Sequence, residues 1–135
     1  MNAVDTNILL YVHDPRDAAK QSRANHLLAT EKDLVLVWQV ACEYLNASRK
    51  LAPFGFNVQD AFKDIASFQR TWRFLLPDWP AIARSQGLLS RFSLSIYDSM
   101  LIAVCLESGV QRLYSEDFSA YQKIDTLEII NPFAP

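Results

Sequence analysis

Apolar positions along the chain form short runs that alternate with longer amphipathic stretches. The short runs predict buried strands in the segment that ends near Asp5 and at residues 34–37, 74–76, 111–114 and 127–130. The longer stretches have helical spacing at residues 16–30, 39–52, 57–70, 80–92 and 96–108. Strands that alternate with helices are typical of a parallel sheet covered on both faces, so we predict an α/β fold.

The composition of the 135 residues narrows the class of protein. Half of the residues are apolar and 21% are charged, which is typical of a globular domain. The longest apolar run, residues 100–106, is far shorter than the roughly 20 residues of a membrane-spanning helix, so we expect no membrane partner. The N-terminus does not have the pattern of a signal peptide, and Cys42 and Cys105 form no paired motif. We expect a cytoplasmic protein with two buried, reduced thiols.

Charge is distributed unevenly along the chain. The net charge is −2, whereas nucleic-acid-binding proteins usually have a basic surface. Residues 49–91 nevertheless contain seven basic and three acidic residues, a net charge of +4, so the acidity concentrates at the two ends. A polyanionic substrate is compatible with this distribution if the acidic ends hold metal cations.

Four acidic residues are candidates for a functional site. Ligands of open α/β sheets bind beyond the carboxyl ends of the strands, and Asp5 ends the first predicted strand. Asp117 follows the predicted strand at 111–114, which brings it to the same edge. Asp98 lies in the first turn of an apolar helix, and Glu43 lies in the first half of another. A carboxylate in an apolar stretch is costly unless it is paired or bound to a metal, and Asp5 and Asp98 are the clearest cases.

Structural roles are open alternatives for these acids. Ser95 and Asp98 match the spacing of a capping box, in which a helix N-terminus is closed by two side chains. Asp5 can accept the hydrogen bond of an Asx turn, and Glu43 can be an exposed helix charge. The residue types alone therefore do not decide between a site and a set of local caps.

The context of the acids resembles a known family. Val-Asp-Thr-Asn occupies 4–7, Val-Ala-Cys-Glu occupies 40–43, Leu-Ser-Ile-Tyr-Asp-Ser-Met-Leu-Ile-Ala occupies 94–103, and Leu-Tyr-Ser-Glu-Asp occupies 113–117. In this order and at these intervals, the segments resemble the PIN-domain family of small metal-dependent α/β nucleases, and most closely its VapC-type toxins. The resemblance covers nearly the whole chain and implies a single PIN domain over residues 1–135, with a PIN-like parallel sheet flanked by helices.

The resemblance implies four catalytic and metal-binding acids: Asp5, Glu43, Asp98 and Asp117. It implies Mg²⁺ as cofactor, with Mn²⁺ as a substitute, and both are hard ions that prefer oxygen ligands. Such ions activate water, neutralise phosphate charge and stabilise the leaving oxygen. Asn7 and Ser115 are candidates for orienting the carboxylates. Without the four acids the rest of the chain carries a charge of +2, so bound cations make a nucleic acid compatible with the acidic total.

The last motif ends in two neighbouring acids, which leaves its role open. The motif favours Asp117, but the side chain of Glu116 can face the site instead. Asp117 can alternatively cap a short helix that begins at Phe118. The choice depends on the geometry of the loop after the strand at 111–114.

The resemblance, and not the residue pattern, implies an RNA-cleaving toxin of a type II toxin–antitoxin system with a cognate antitoxin protein as partner. We expect the antitoxin in an apolar groove beside the acids, between the helix at 16–30 and the helices within 39–70. Formation of a homodimer is the competing use of the apolar surface.

Three other functions are alternatives. A dehalogenase-like phosphatase requires Asp-x-Asp after its first strand, where this chain has Asn7 as the second residue. A receiver domain requires an acidic pair before its first loop and a phosphoacceptor Asp on its third strand, and the sequence has neither. A PIN module that only binds RNA or a protein remains, although the presence of all four acids argues against it.

Overall fold

A six-stranded, mostly parallel sheet forms the centre of the molecule. The computed structural model describes residues 1–118 and 120–135. The strands are β1 Asn2–Val4, β2 Leu34–Val37, β3 Arg73–Leu75, β4 Arg112–Tyr114, β5 Lys123–Ile124 and β6 Leu127–Ile130. Their spatial order is β3-β2-β1-β4-β6-β5, and only the β5–β6 pair is antiparallel among the described strands.

Helices connect the strands, as the pattern predicts. They are α1 Thr6–Tyr11, α2 Ala18–Thr30, α3 Trp38–Ser48, α4 Val58–Phe68, α5 Trp79–Arg91 and α6 Ile96–Glu107. Polar side chains accept backbone N–H groups at the starts of five of them, and these caps are Asp5, Asp17, Asn57, Asp78 and Ser95. Such caps satisfy donors that the first helical turn leaves without a partner, so the polar residues between the apolar stretches define where the helices begin.

The helices form two groups, one on each face of the sheet. Helix α1 contacts α2 and α3, α3 contacts α4, and α5 packs along α6. The chain moves outward in one direction from β1 through β2 to β3 and then returns across the sheet to β4. Because crossovers between parallel strands are right-handed, the return connection through α5 and α6 lies on the opposite face from the earlier helices. The α/β arrangement predicted from the sequence is confirmed.

The reversal of strand order positions a crevice. Strands β1 and β2 are buried along their full length, as expected for central strands covered on both faces. The chain leaves β1 toward β2 on one side, whereas β4 lies on the other side of β1. Loops therefore diverge at the carboxyl ends of β1 and β4, and ligands of open α/β sheets bind at such a point.

The helix predicted at 39–52 is shorter in the structure. Helix α3 ends at Ser48, and the chain continues as a 3₁₀ helix over Arg49–Phe54. Pro53 lies inside this 3₁₀ segment and has no N–H to donate to an α-helical hydrogen bond. Gly55 follows with φ of 84°, a left-handed conformation that glycine adopts without steric cost. The predicted end of the helical segment at Pro53 and Gly55 is thus confirmed, but its last part is a 3₁₀ helix and not an α-helix.

One further prediction is wrong, one strand has no counterpart among the predictions, and one predicted helix lies partly outside the described residues. Cys42 is exposed on α3, so only Cys105 is the buried thiol that the composition suggested. Strand β5 was not predicted, because two residues show no periodicity. The short helix predicted from Phe118 includes Ser119, which lies outside the described residues. Among the described residues, no helix has the length and apolarity that crossing a bilayer requires.

Candidate active site

Asp5 occupies the crevice between β1 and β4 and is held from both strands. Its Oδ1 accepts the backbone N–H of Thr6 at 2.7 Å, and its Oδ2 accepts the hydroxyl of Ser115 at 2.7 Å. Only 5% of Asp5 is exposed. The hydrogen bond to Thr6 also caps α1, so the structural and the functional interpretations of Asp5 are compatible.

Asp117 follows β4 and lies on the same side of the crevice. Its backbone N–H donates to Ser115 Oγ at 3.1 Å, and its Oδ2 accepts Asn7 Nδ2 at 3.0 Å. The neighbouring Glu116 points toward Tyr11 and away from these groups. Asp117, and not Glu116, is therefore hydrogen-bonded to the residues of the crevice. Ser115 and Asn7 contact Asp5 and Asp117 and can orient these two acids.

Glu43 approaches the crevice from α3. Its Oε2 accepts the hydroxyl of Thr6 at 3.0 Å, and its Oε1 accepts Gln39 Nε2 at 3.0 Å. The same Gln39 nitrogen donates to the backbone carbonyl of Tyr97 at 2.9 Å. Since Thr6 begins α1 and Tyr97 lies in the first turn of α6, these contacts fix Glu43 relative to both helices.

Asp98 approaches from the first turn of α6. Its backbone N–H donates to Ser95 Oγ at 3.1 Å, so the capping interaction predicted for Ser95 is present. Burial raises the pKa of Asp98, the Ser95 hydroxyl lowers it, and the charges of Asp117 and Glu43 raise it further. The carboxyl group is therefore close enough to two other acids for their charges to act on it.

The charges of Glu43 and Asp117 act on both Asp5 and Asp98. Burial raises the pKa of Asp5 from 3.8 to about 6. Hydrogen bonds from Ser115 and the Thr6 amide lower this pKa, whereas the charges of Asp117 and Glu43 raise it. The structure thus brings together the four predicted acids, which come from the ends of two strands, the middle of α3 and the first turn of α6.

A hard divalent cation fits the chemistry of these donors. All four acids offer carboxylate oxygens, and the side-chain oxygen of Asn7 is buried without a hydrogen-bonding partner. Among the described residues, no three His, Cys, Asp or Glu side chains lie close enough to hold one metal ion together. Mg²⁺ commonly takes only one or two carboxylates and keeps several waters, so this spacing suits Mg²⁺ better than an ion that requires a full protein shell.

Sequence analysis missed two parts of the site. Gln39 lies one helical turn before Glu43, a spacing that places both side chains on one face of a helix. The second part is an apolar face formed by Trp38, Leu76, Trp79, Ile82, Ile96 and Tyr97, each at least 42% exposed. Trp38, Ile82 and Tyr97 of this apolar face line a pocket of about 230 Å³ together with Gln39, which contacts Glu43, so the face borders the acids.

A sheet of reversed strand order with acids at its switch point is the arrangement in which open α/β proteins bind ligands at the carboxyl edge. The family model described as PIN domain matches residues 3–125, and the chain belongs to the PIN-domain family. No curated protein matches the chain.

Solved structures share this fold at low sequence identity. The VapC20 toxin of Mycobacterium tuberculosis, described as cleaving the sarcin–ricin loop, is 20% identical with a TM-score of 0.68, over 89% of this chain and 94% of that one. A toxin–antitoxin complex from Klebsiella pneumoniae is 16% identical with a TM-score of 0.73, over 98% of both chains. FitAcB from Neisseria gonorrhoeae is 17% identical with a TM-score of 0.70, over 98% of this chain and 99% of that one.

Because the pKa of Asp5 is raised, ionisation of its carboxyl group should lower the free energy of unfolding. Because the folded-state pKa exceeds the unfolded value, the native state binds more protons between pH 4 and 6, and stability falls as the pH rises through this window. We expect Asp5→Asn, whose oxygen can accept the Thr6 N–H while its NH2 group donates to Ser115 Oγ, to raise the free energy of unfolding at pH 8 by up to about 3 kcal/mol. The gain should vanish below about pH 4, as measured by urea denaturation in EDTA.

Asp125→Asn is the matched control with the opposite sign. Arg91 hydrogen-bonds Asp125 and lowers its pKa, so removing this charge should destabilise the protein near neutral pH and not in acid. Equal stability of wild type and Asp5→Asn at pH 8 would contradict the claim that the ionised carboxylate of Asp5 destabilises the folded protein.

Proposed function

We propose that this chain is an Mg²⁺-dependent endoribonuclease that acts as the toxin of a type II toxin–antitoxin system. The convergence of four carboxylates from separate elements at the switch point of a PIN-domain sheet carries the proposal. Asp5 and Asp117 are linked through Ser115, while Glu43 is linked to α1 through Thr6. The capping role of Asp5 does not require three further carboxylates nearby, and a cation-dependent site accounts for this concentration of negative charge.

The residues of the crevice have two roles in holding the cofactor: some would be its ligands, and others orient those ligands. Asp5, Glu43, Asp98 and Asp117 would provide oxygen ligands, no more than two of them directly to one ion and the others through its bound waters. When bound, Mg²⁺ activates water for attack on a phosphodiester and offsets the charge of the phosphate and the leaving oxygen. Ser115 and Asn7 fix the rotamers of Asp5 and Asp117, and Thr6 and Gln39 do the same for Glu43. The acids are therefore oriented before the substrate arrives, which lowers the entropic cost of reaction.

RNA is the substrate that the motifs favour. The sequence around the four acids resembles that of ribonuclease toxins, and one structural neighbour is described as cleaving the sarcin–ricin loop. In this chain, the net charge of −2 requires cations at the crevice before a polyanion can approach. Metal binding and substrate binding should therefore be coupled.

An antitoxin is the protein partner that we propose. Several neighbours are toxin–antitoxin complexes, and the groove expected beside α2 and α4 has exposed aromatic residues in this structure. Phe54 and Phe62 are 43% and 51% exposed, and the guanidinium of Arg16 lies 5.0 Å above the ring of Phe54. An antitoxin segment with apolar side chains can cover these rings and direct an arginine at the carboxylates.

A second copy of the chain is the partner that fits the apolar face. This surface has both exposed side chains, such as Trp79 at 80% exposure, and a pocket, so it offers a protrusion and a recess on one patch. A two-fold dimer requires such self-complementarity. Since the pocket is lined without any charged residue, a protein fits it better than a phosphate backbone. The mass in solution, measured by light scattering, should be that of a dimer and should fall to that of a monomer in Trp79→Asp.

The reaction is tested on purified protein with single-stranded and structured RNA. We expect hydrolysis that EDTA abolishes and that Mg²⁺ or Mn²⁺ restores. Asp98→Asn should lower turnover by about 10³-fold, since it removes one ligand charge at constant shape. Glu107→Gln, at the other end of α6, is the matched control and should retain activity. Full activity in EDTA would refute the mechanism, and inactivity of the wild type would favour a module that only binds RNA or a protein.

The toxin role is tested in growing cells. Expression of the wild-type chain should arrest growth, and Asp98→Asn should not. Coexpression of the small protein encoded beside it should relieve the arrest by occupying the groove at Phe54 and Phe62. Arrest that persists in Asp98→Asn would reject the toxin assignment, because it would not depend on the acids.

A further inference from the structure

Three consecutive residues after β4 are held by side chains from outside their loop. Ser115 contacts Asp5, and Asp117 contacts Asn7 of α1. Between them, Glu116 Oε1 accepts the hydroxyl of Tyr11 at 2.6 Å, and its Oε2 accepts Lys20 Nζ at 2.9 Å. Residues 115–118 have neither helical nor strand structure, so these side-chain contacts, together with the hydrogen bond from the Ser115 N–H to the Ile130 carbonyl, hold the loop.

Lys20, whose ammonium group binds Glu116, also contacts two neighbouring aromatic rings. Lys20 Nζ lies 3.2 Å from the hydroxyl of Tyr11 and 4.8 Å from the centre of its ring. The same ammonium lies 5.6 Å from the ring of Phe133, which meets Tyr11 edge to face at 5.0 Å. Glu116 and Lys20 are 22% and 33% exposed, so this ion pair is less screened by solvent than a fully exposed one.

Helix α1 connects this ion pair to the crevice. Tyr11 lies four residues after Asn7, and residues with this spacing occupy one face of a helix. Tyr11 holds Glu116 while Asn7 holds Asp117, so two neighbouring acids are held by one helix face. A rotation of the loop that released Glu116 would therefore also move Asp117 relative to Asn7.

We propose that Lys20, Tyr11 and Glu116 are positioning residues that direct Asp117 into the crevice. Lys20 has a second effect, because it neutralises a fifth carboxylate that would otherwise add to the negative charge of the site. The inference rests on the proposed function for its consequence in metal binding. Its geometric part concerns only the contact between Asn7 and Asp117.

Lys20→Met tests the proposal, because it keeps the length of the side chain and removes the charge. On the full chain, we expect the dissociation constant for Mn²⁺, measured by titration calorimetry, to rise about fivefold to tenfold. Lys20→Arg retains a cation and should restore the constant to within about twofold of wild type. Combining Lys20→Met with Glu116→Gln should give less than the product of the two single effects, because both variants break the same interaction.

A purely structural role predicts a different result. Arg84→Met breaks comparably exposed ion pairs with Glu107 and Asp125 on the opposite face and is the matched control. It should lower the melting temperature about as much as Lys20→Met and leave the Mn²⁺ constant unchanged. The same Mn²⁺ constant in Lys20→Met and in wild type would overturn the positioning role.

A second measurement separates this inference from the proposed function. The side-chain amide signals of Asn7 in the NMR spectrum report its hydrogen bond to Asp117 without any metal. We expect them to shift in Lys20→Met and in Tyr11→Phe, whereas those of Asn46, at the far end of α3, should not. A wild type that does not bind Mn²⁺ would reject the proposed function, and the Asn7 signals would then decide the inference alone: unchanged signals would overturn it.

Discussion

Burial of a carboxylate beside other carboxylates at one sheet edge is the constraint to which the rest of the crevice responds. Asp5 is nearly inaccessible to water, and this burial, with a smaller contribution from the charges of Asp117 and Glu43, raises its pKa to about 6. Donors surround the acids in compensation: the Ser115 hydroxyl, the Thr6 amide and the Asn7 amide. Each donor stabilises one charge, but none neutralises it, so a cation is the group that would relieve the remaining repulsion.

The fold makes this arrangement tolerable. Asp5 caps α1, and Asp98 lies in the first turn of α6, so both carboxyl groups stand at helix N-termini, where the helix dipole favours negative charge. Strand order reverses between β1 and β4, which separates the loops and leaves room beside the acids. Stability is reduced locally for a site that needs concentrated charge, as is common for functional sites.

Much of this organisation is predictable from the sequence, for identifiable reasons. Buried parallel strands such as β2 consist of continuous apolar residues, and the helices begin at polar caps such as Ser95. Asp5 and Asp98 are conspicuous because they interrupt apolar stretches, whereas the set of four acids follows from the resemblance of their segments to the PIN-domain family. These patterns involve residues close together in the chain, so a single sequence is enough to identify them.

Features that depend on long-range contacts were not predictable. Whether Glu116 or Asp117 faces the crevice depends on Lys20 and Tyr11, which are about a hundred residues away in sequence. The exposure of Cys42 depends on which face of α3 meets the sheet, and an apolar neighbourhood in sequence does not determine that face. Strand β5 has only two residues and forms because β6 lies beside it.

The location of a bound cation tests the central claim most directly. Crystals of the wild-type protein grown with Mn²⁺ and measured at the manganese absorption edge should show an anomalous peak in the crevice between β1 and β4. The account predicts ligands from at least two of Asp5, Glu43, Asp98 and Asp117, and loss of the peak in Asp5→Asn. A peak elsewhere on the molecule, or an empty crevice at saturating Mn²⁺, would contradict the claim that these acids form a metal-dependent site.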